Sequence, residues 1–337
     1  RKKLLIHQSN DNKNKSMEDY TTITITHPAT SASCTITPFG GHVLSYIPPS
    51  SDDDVLWLST QHKKDQTKSI RGGIPVCFPQ FGQTHDKVSP QHGWARLNKW
   101  SVRASTPSSI TLTIACADAT KGRGGHWPVD GCPFSVTLWL HVCFTEAGGL
   151  KYTLGIRNQL ETSVPVQILL HNYFKFDVAS QLVQGVEGYE VEDTQPGFAG
   201  RKFFVQEGAI KIDKEVDRIF HAPKEGGDVL SASLGKTSLK VAAAVVRGDE
   251  VTSLPPSCVV WNPWIEKASA MGDFDDEGYK NMVCVEPGII NGQHALGGGE
   301  VLLIEQIISS GDEDVIVGQG GSLPFAAAAR RVIEETS

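Results

Sequence analysis

The sequence has no CxxC pair, no apolar run long enough to span a bilayer and no excess of basic residues. Each absence excludes something. Seven cysteines, at 34, 77, 116, 132, 143, 258 and 284, are scattered and odd in number. A disulfide framework or a cysteine-based zinc site would need paired spacings, so buried, reduced thiols of an intracellular protein are expected. Without a long apolar run no membrane partner is expected. Lys plus Arg number 31 against 38 Asp plus Glu, a net charge of −7. That balance excludes a nucleic-acid partner, which needs a basic face, although a few local arginines would suffice for one phosphate. The cytoplasm is the expected compartment. Because the chain starts at Arg1, a plastid or other organelle stays open.

Catalytic signatures are missing too. There is no HxH or HExxH spacing around His126, His141 or His294, so no metal is expected. No GxSxG elbow is present, and the glycine triplet 297–299 precedes a strand pattern where a phosphate loop would precede a helix. The acidic run "GDFDDEG" (272–278) lacks the calcium-loop pattern and is expected to be a solvated loop. No cofactor is implied.

What is present is alternation. "YTTITIT" (20–26), "SITLTIAC" (109–116), "FSVTLWLHVCF" (134–144) and "LKYTLGIRN" (150–158) repeat with period two and are rich in β-branched and aromatic residues. "VPVQILLH" (164–171), "KTSLKVAAAVV" (236–246), "SCVVW" (257–261), "MVCVEPG" (282–288) and "EVLLIEQII" (300–308) extend the series. No long helical stripe interrupts it. The predicted fold is all-β, a large antiparallel β-sandwich or barrel in one domain over 19–312. Residues 1–18 read as a polar tail, and 313–337 as a tail or short helix, its alanines favouring helix.

Four segments stand out as places for chemistry. "RGGIPVCFPQFG" (71–82) holds three glycines and two prolines, so it is neither helix interior nor central strand. Its glycines are expected to let backbone approach a ligand and its prolines to stiffen the loop, with Arg71 at the mouth. His171 ends "VPVQILLH". Alternation puts Val164, Val166, Ile168 and Leu170 on one face and His171 on the other with Leu169 and Gln167. It reads as a proton donor or as a half-buried histidine satisfied by a carbonyl. His92 and Arg96 lie on the tight turn "PQHGWAR" (90–96), which is either a functional loop or a plain surface turn. Glu286 follows an apolar run and is expected to end its strand at Pro287 and Gly288. It reads as a base of raised pKa or as half of a structural salt bridge.

"RGGIPVCFPQFG", "PQHGWAR", "LLHNYFKFD" (169–177), "EVDRIF" (215–220), "VWNPWIEKASAMGDF" (260–274) and "VCVEPG" (283–288), in this order, resemble the aldose 1-epimerase superfamily. Within it they resemble the glucose-6-phosphate 1-epimerase (hexose-6-phosphate mutarotase) family. The resemblance implies a sandwich with a sugar cleft on one sheet, His171 as general acid starting from the imidazolium, and Glu286 as general base. It implies Gln91, His92 and Asp217 as sugar ligands and Arg71 with Arg96 as the anion-binding pair, the other reading of Arg71 being the cap of a buried carboxylate. The expected partner is a hexose 6-phosphate and the expected state a monomer. Two alternatives stay open: an epimerase of unphosphorylated aldoses such as galactose or glucose, and a non-catalytic carbohydrate-binding protein on the same fold.

Overall fold

The alternating segments form strands. In the computed structural model, which describes residues 20–83, 90–116, 135–195, 200–223, 227–311 and 325–337, "FSVTLWLHVCF" becomes the strand Val136–Phe144. Its neighbour Leu150–Asn158 buries Leu150, Tyr152, Leu154 and Ile156 completely. The polar N-terminal tail, the segment 121–130 with His126, and Cys132 lie outside the described residues. All six described cysteines are free thiols, five of them buried.

Two large antiparallel sheets make the sandwich. The back sheet has nine strands. In spatial order they are Val183–Gln184, Val229–Leu234, Thr237–Arg247, Val301–Ser310, Leu150–Asn158, Val136–Phe144, Ser109–Ala115 and Ser101–Thr106, and Glu250–Leu254 also pairs with Thr237–Arg247. The site sheet has eight. They run Lys202–Val205, Glu190–Asp193, Val216–His221, Ser257–Asn262, Met282–Leu296, Val164–Leu170 and Val76–Cys77, and Tyr173–Lys175 pairs with Met282–Leu296. A three-stranded sheet, Ile23–Thr26, Ser33–Thr37 and His42–Ile47, completes the β structure.

Alternation sorts each strand between two environments. Val164, Val166, Ile168 and Leu170 enter the main core with Leu138, Leu140, Leu154, Ile156, Leu302 and Ile304 of the back sheet. Leu169 faces the other way, into an outer cluster with Trp57, Tyr173, Val259, Trp261, Phe274 and Cys284. A short helix, α1 (Trp264–Ala270), closes this outer face by burying Ala268 there. The back sheet's outer face is covered by α2 (Phe325–Thr336), which buries Phe325, Ala329 and Val332 against Trp139, Ala242, Ala244, Val301 and Leu303.

Two local expectations are corrected. Gly72 and Gly73 do have positive φ, 121° and 62°, but the space a side chain would need is filled by the protein itself. A Cβ at Gly72 would lie 2.5 Å from the Trp57 carbonyl oxygen, and one at Gly73 2.2 Å from that of Val43. These glycines let the loop dock on its own neighbours, not on a ligand. Nor do Pro287 and Gly288 end a strand, because Met282–Leu296 runs on past them. Proline has no N–H to donate to a ladder. The pairing is regular at Gly288–Leu169 and at Cys284–Tyr173 but is interrupted between them. There the Leu170 carbonyl, opposite Pro287, accepts the Asn172 N–H instead, at 2.9 Å, while the His171 N–H donates to the Pro75 carbonyl on the other edge, at 2.9 Å.

Candidate active site

The gap in the ladder is where the chemistry gathers. Val259 pairs with Glu286 and Trp261 with Cys284 across one edge of Met282–Leu296. Across the other edge the register leaves position 286 facing position 171. Two residues 115 apart in sequence (286 − 171) thereby become neighbours. His171 Nδ1 lies 3.3 Å from Glu286 Oε1, and the two residues are only 7% and 1% exposed. Neither His171 Nδ1 nor the second carboxylate oxygen, Oε2, has a hydrogen-bond partner. The alternative of a histidine satisfied by a carbonyl is therefore not how this ring nitrogen sits.

Burial costs both partners their charged forms. His171 is held well below its ordinary value by burial, then by Arg96 and Arg71. Glu286 is pushed well above its own, by burial and then Asp217, against a counteracting pull from Arg96. Both shifts favour the neutral forms, the direction opposite to the imidazolium expected at the outset.

Aromatic rings fix the imidazole. His171 stacks on Tyr173 with centroids 4.7 Å apart and planes 9° from parallel. His92 and Trp261 meet it edge-on at 5.6 and 6.2 Å. His92 has a positive φ of 62°, uncommon outside glycine. Its Nδ1 accepts the Gly82 N–H at 3.2 Å, so Nε2 carries the hydrogen. Burial and Arg96 hold His92 neutral, well below its usual range. Its Nε2 is thus left with a hydrogen to donate.

Asp217 pairs in register with Trp261, on the row that continues through Cys284 to Tyr173. Burial raises its pKa while Lys267, with Nζ at 3.7 Å, opposes the rise. Lys267 also holds Glu215 at 3.0 Å. Gln91 is exposed, and its main-chain carbonyl accepts from Arg96 Nη2 at 3.0 Å. Arg96 has a buried Nε with no partner. Burial lowers its pKa and Arg71 contributes to that lowering.

Arg71 does cap a carboxylate, the other reading open to it, although the partner was not foreseen. Its Nε and Nη2 donate to Asp273 at 3.2–3.3 Å, and its Nη1 donates to the Tyr173 hydroxyl at 3.1 Å. Burial works against its charge, but Tyr173 and Asp273 raise its pKa overall. The acidic run is therefore no solvated loop: Asp273 anchors Arg71, and Asp275 accepts from the Thr60 N–H at 2.9 Å and from its hydroxyl. Tyr173 was also missed, although it lies two residues after His171 and alternation puts it on the same face.

The donor atoms of His171, Cys284 and Glu286 come within 4.8 Å of one another, a set of a kind that could hold a soft cation. The charges of Arg71 and Arg96 oppose a cation there and favour an anion nearby.

The sandwich that carries this buried His–Glu pair has relatives. The family model described as aldose 1-epimerase matches residues 21–309. The chain belongs to the aldose 1-epimerase family. A Cenchrus ciliaris protein named as a candidate glucose-6-phosphate 1-epimerase is 32% identical over 78% of this chain and 76% of the relative. A Salmonella typhimurium protein of the same name is 27% identical over 81% and 84%. Among solved structures, the candidate mutarotase YeaD from Salmonella typhimurium superposes with a TM-score of 0.67 at 23% identity, covering 87% of this chain and 91% of that one. Slr1438 from Synechocystis gives 0.66 at 16%, covering 89% and 99%. These superpositions establish for this epimerase-family chain the mutarotase-like sandwich that the resemblance implied. Among its described residues, no helix is long and apolar enough to cross a membrane.

Proposed function

We propose that the protein interconverts the α and β anomers of glucose 6-phosphate, with His171 and Glu286 as the acid–base pair. The observation that carries this reading is the 3.3 Å approach of the two buried groups beside two arginines whose charges reach them. Anomer exchange opens a hemiacetal. One proton leaves the C1 hydroxyl and one arrives at the ring oxygen. Rotation about C1–C2 and the reverse transfers then close the ring on the other face. The protein must supply one vacant base and one held proton, each within hydrogen-bond reach of its oxygen. A pair sharing a single proton meets that need. In the forward direction Glu286 takes the C1 proton and His171 delivers the other. A phosphate dianion on Arg71 and Arg96 would offset the two cations that depress the imidazole, moving the shared proton onto His171 when substrate is bound. His92 and Asp217 would hold sugar hydroxyls, with Gln91 at the rim.

The test compares anomerically pure glucose 6-phosphate with glucose. Arg71→Lys should raise KM for the phosphate ester about 10-fold or more, since a forked guanidinium is lost, and leave glucose nearly unchanged. Equal losses on both substrates would remove the phosphate role. One observation favours an unphosphorylated aldose instead: Arg71 is already paired with Asp273. A parent protein that turns over glucose as fast as its 6-phosphate decides for that reading. The binding-only alternative predicts no rate above the spontaneous one.

A further inference from the structure

We propose that Tyr173 is a positioning residue through which the substrate's phosphate contributes to turnover as well as to affinity. The inference rests on the glucose 6-phosphate reading above and deepens it. Tyr173 touches both halves of the site. Its hydroxyl accepts from Arg71 Nη1 at 3.1 Å, and its ring lies 4.7 Å from the His171 ring at 9°. It is 1% exposed and also stacks against Trp57, at 5.9 Å and 24°. Its main chain is pinned as well: the N–H donates to the Gly73 carbonyl, and the carbonyl accepts from the Trp57 N–H, each at 2.9 Å.

The imidazole lacks such anchors. Its Nδ1 makes no hydrogen bond, so stacking on Tyr173 and the edges of His92 and Trp261 define its plane. Arg71 has two seats for its charge: Asp273, which it holds now, and an arriving dianion. A phosphate that engages the free edge of the guanidinium fixes Arg71. Arg71 then fixes the phenol hydroxyl, and the phenol ring fixes the plane from which His171 transfers its proton. Small losses of alignment in proton transfer are expensive, so a rigid stack raises kcat. A free sugar leaves Arg71 with Asp273 and the Tyr173 hydroxyl alone and adds nothing to that alignment.

Tyr173→Phe tests it by keeping the ring and removing the link. With glucose 6-phosphate, kcat should fall about 10- to 100-fold, and with glucose by a clearly smaller factor. In the parent, inorganic phosphite dianion added to glucose should accelerate its epimerisation, and in Tyr173→Phe it should not. Equal losses on both substrates, a change confined to KM, or no change overturns the role of Tyr173. A parent that prefers glucose 6-phosphate yet shows no phosphite activation overturns it too, even if the variant does not fold. A parent indifferent to phosphorylation removes the underlying reading instead.

Discussion

His171 and Glu286 are costly residues to bury, and their cost is tolerable because they need only one proton between them. Replacing His171 by Asn should lower kcat by about 10²- to 10⁴-fold, the usual worth of a general acid, while the sugar still binds. A rate unchanged from the parent in a polarimetric or coupled assay removes the imidazole from the mechanism. The pH profile follows from the same electrostatics. Burial and the arginines depress His171 from 6.5, so a second proton joins the pair only well below that value. Burial and Asp217 raise Glu286, so the first proton is kept above the ordinary carboxylate range. The kcat/KM plateau for glucose should therefore extend downward through pH 6.5, and an acid limb centred on 6.5 would contradict it. Both groups were legible because each is a titratable residue at the end of an apolar alternating run. Asp273 was not. Its partner lies 202 positions away, and nothing local distinguishes an acid that meets solvent from one that meets a guanidinium.

Elements were read more surely than their ends. Period two identifies a strand face, so Val164 to Leu170 sorted correctly between core and site. Pro287 and Gly288 are breakers by local chemistry, yet tertiary pairing carries the strand through them. The C-terminal helix α2 shows what alanine content alone could not: where it docks. Gly155 leaves the slot that Val332 fills, since a Cβ there would lie 2.6 Å from Val332 Cγ2. The Trp139 indole N–H donates to Glu335 at 2.7 Å, and Arg157 donates to the Ile333 carbonyl at 3.1 Å. Val332→Asp loses the burial of one apolar side chain, about 1.5–3 kcal/mol, and would bury a charge besides. The expected result is a lower Tm with the turnover of anomerically pure sugar unchanged, because α2 covers the sheet opposite the site. Turnover that collapses while the protein stays folded would mean the two layers are coupled.

For the molecule as a whole, a net charge of −7 repels an anion from afar, so under the proposed function selectivity must come from local cations and not from the overall field. Stability has its own pH sensor. His42 is fully buried, donates Nε2–H to the Gly72 carbonyl at 2.8 Å, and has its pKa lowered from 6.5 to about 3 by burial. The unfolded chain takes up a proton there below 6.5 while the native state refuses it until about 3. Stability from this group is thus complete above 6.5 and is lost on acidification, by up to about 1.4 kcal/mol per pH unit. Urea unfolding should show the parent's advantage over His42→Gln shrinking between about pH 7 and pH 4, and parallel curves would assign the acid sensitivity elsewhere. Beyond Ile289 the pairing of Met282–Leu296 with Val164–Leu170 shifts, resuming at His294–Val166. Codon insertions and deletions in 290–293 should consequently be absorbed by that irregularity. A single added residue between Glu286 and Gly288 would turn the carboxylate to the opposite surface of the sheet, leaving a sandwich without its reaction.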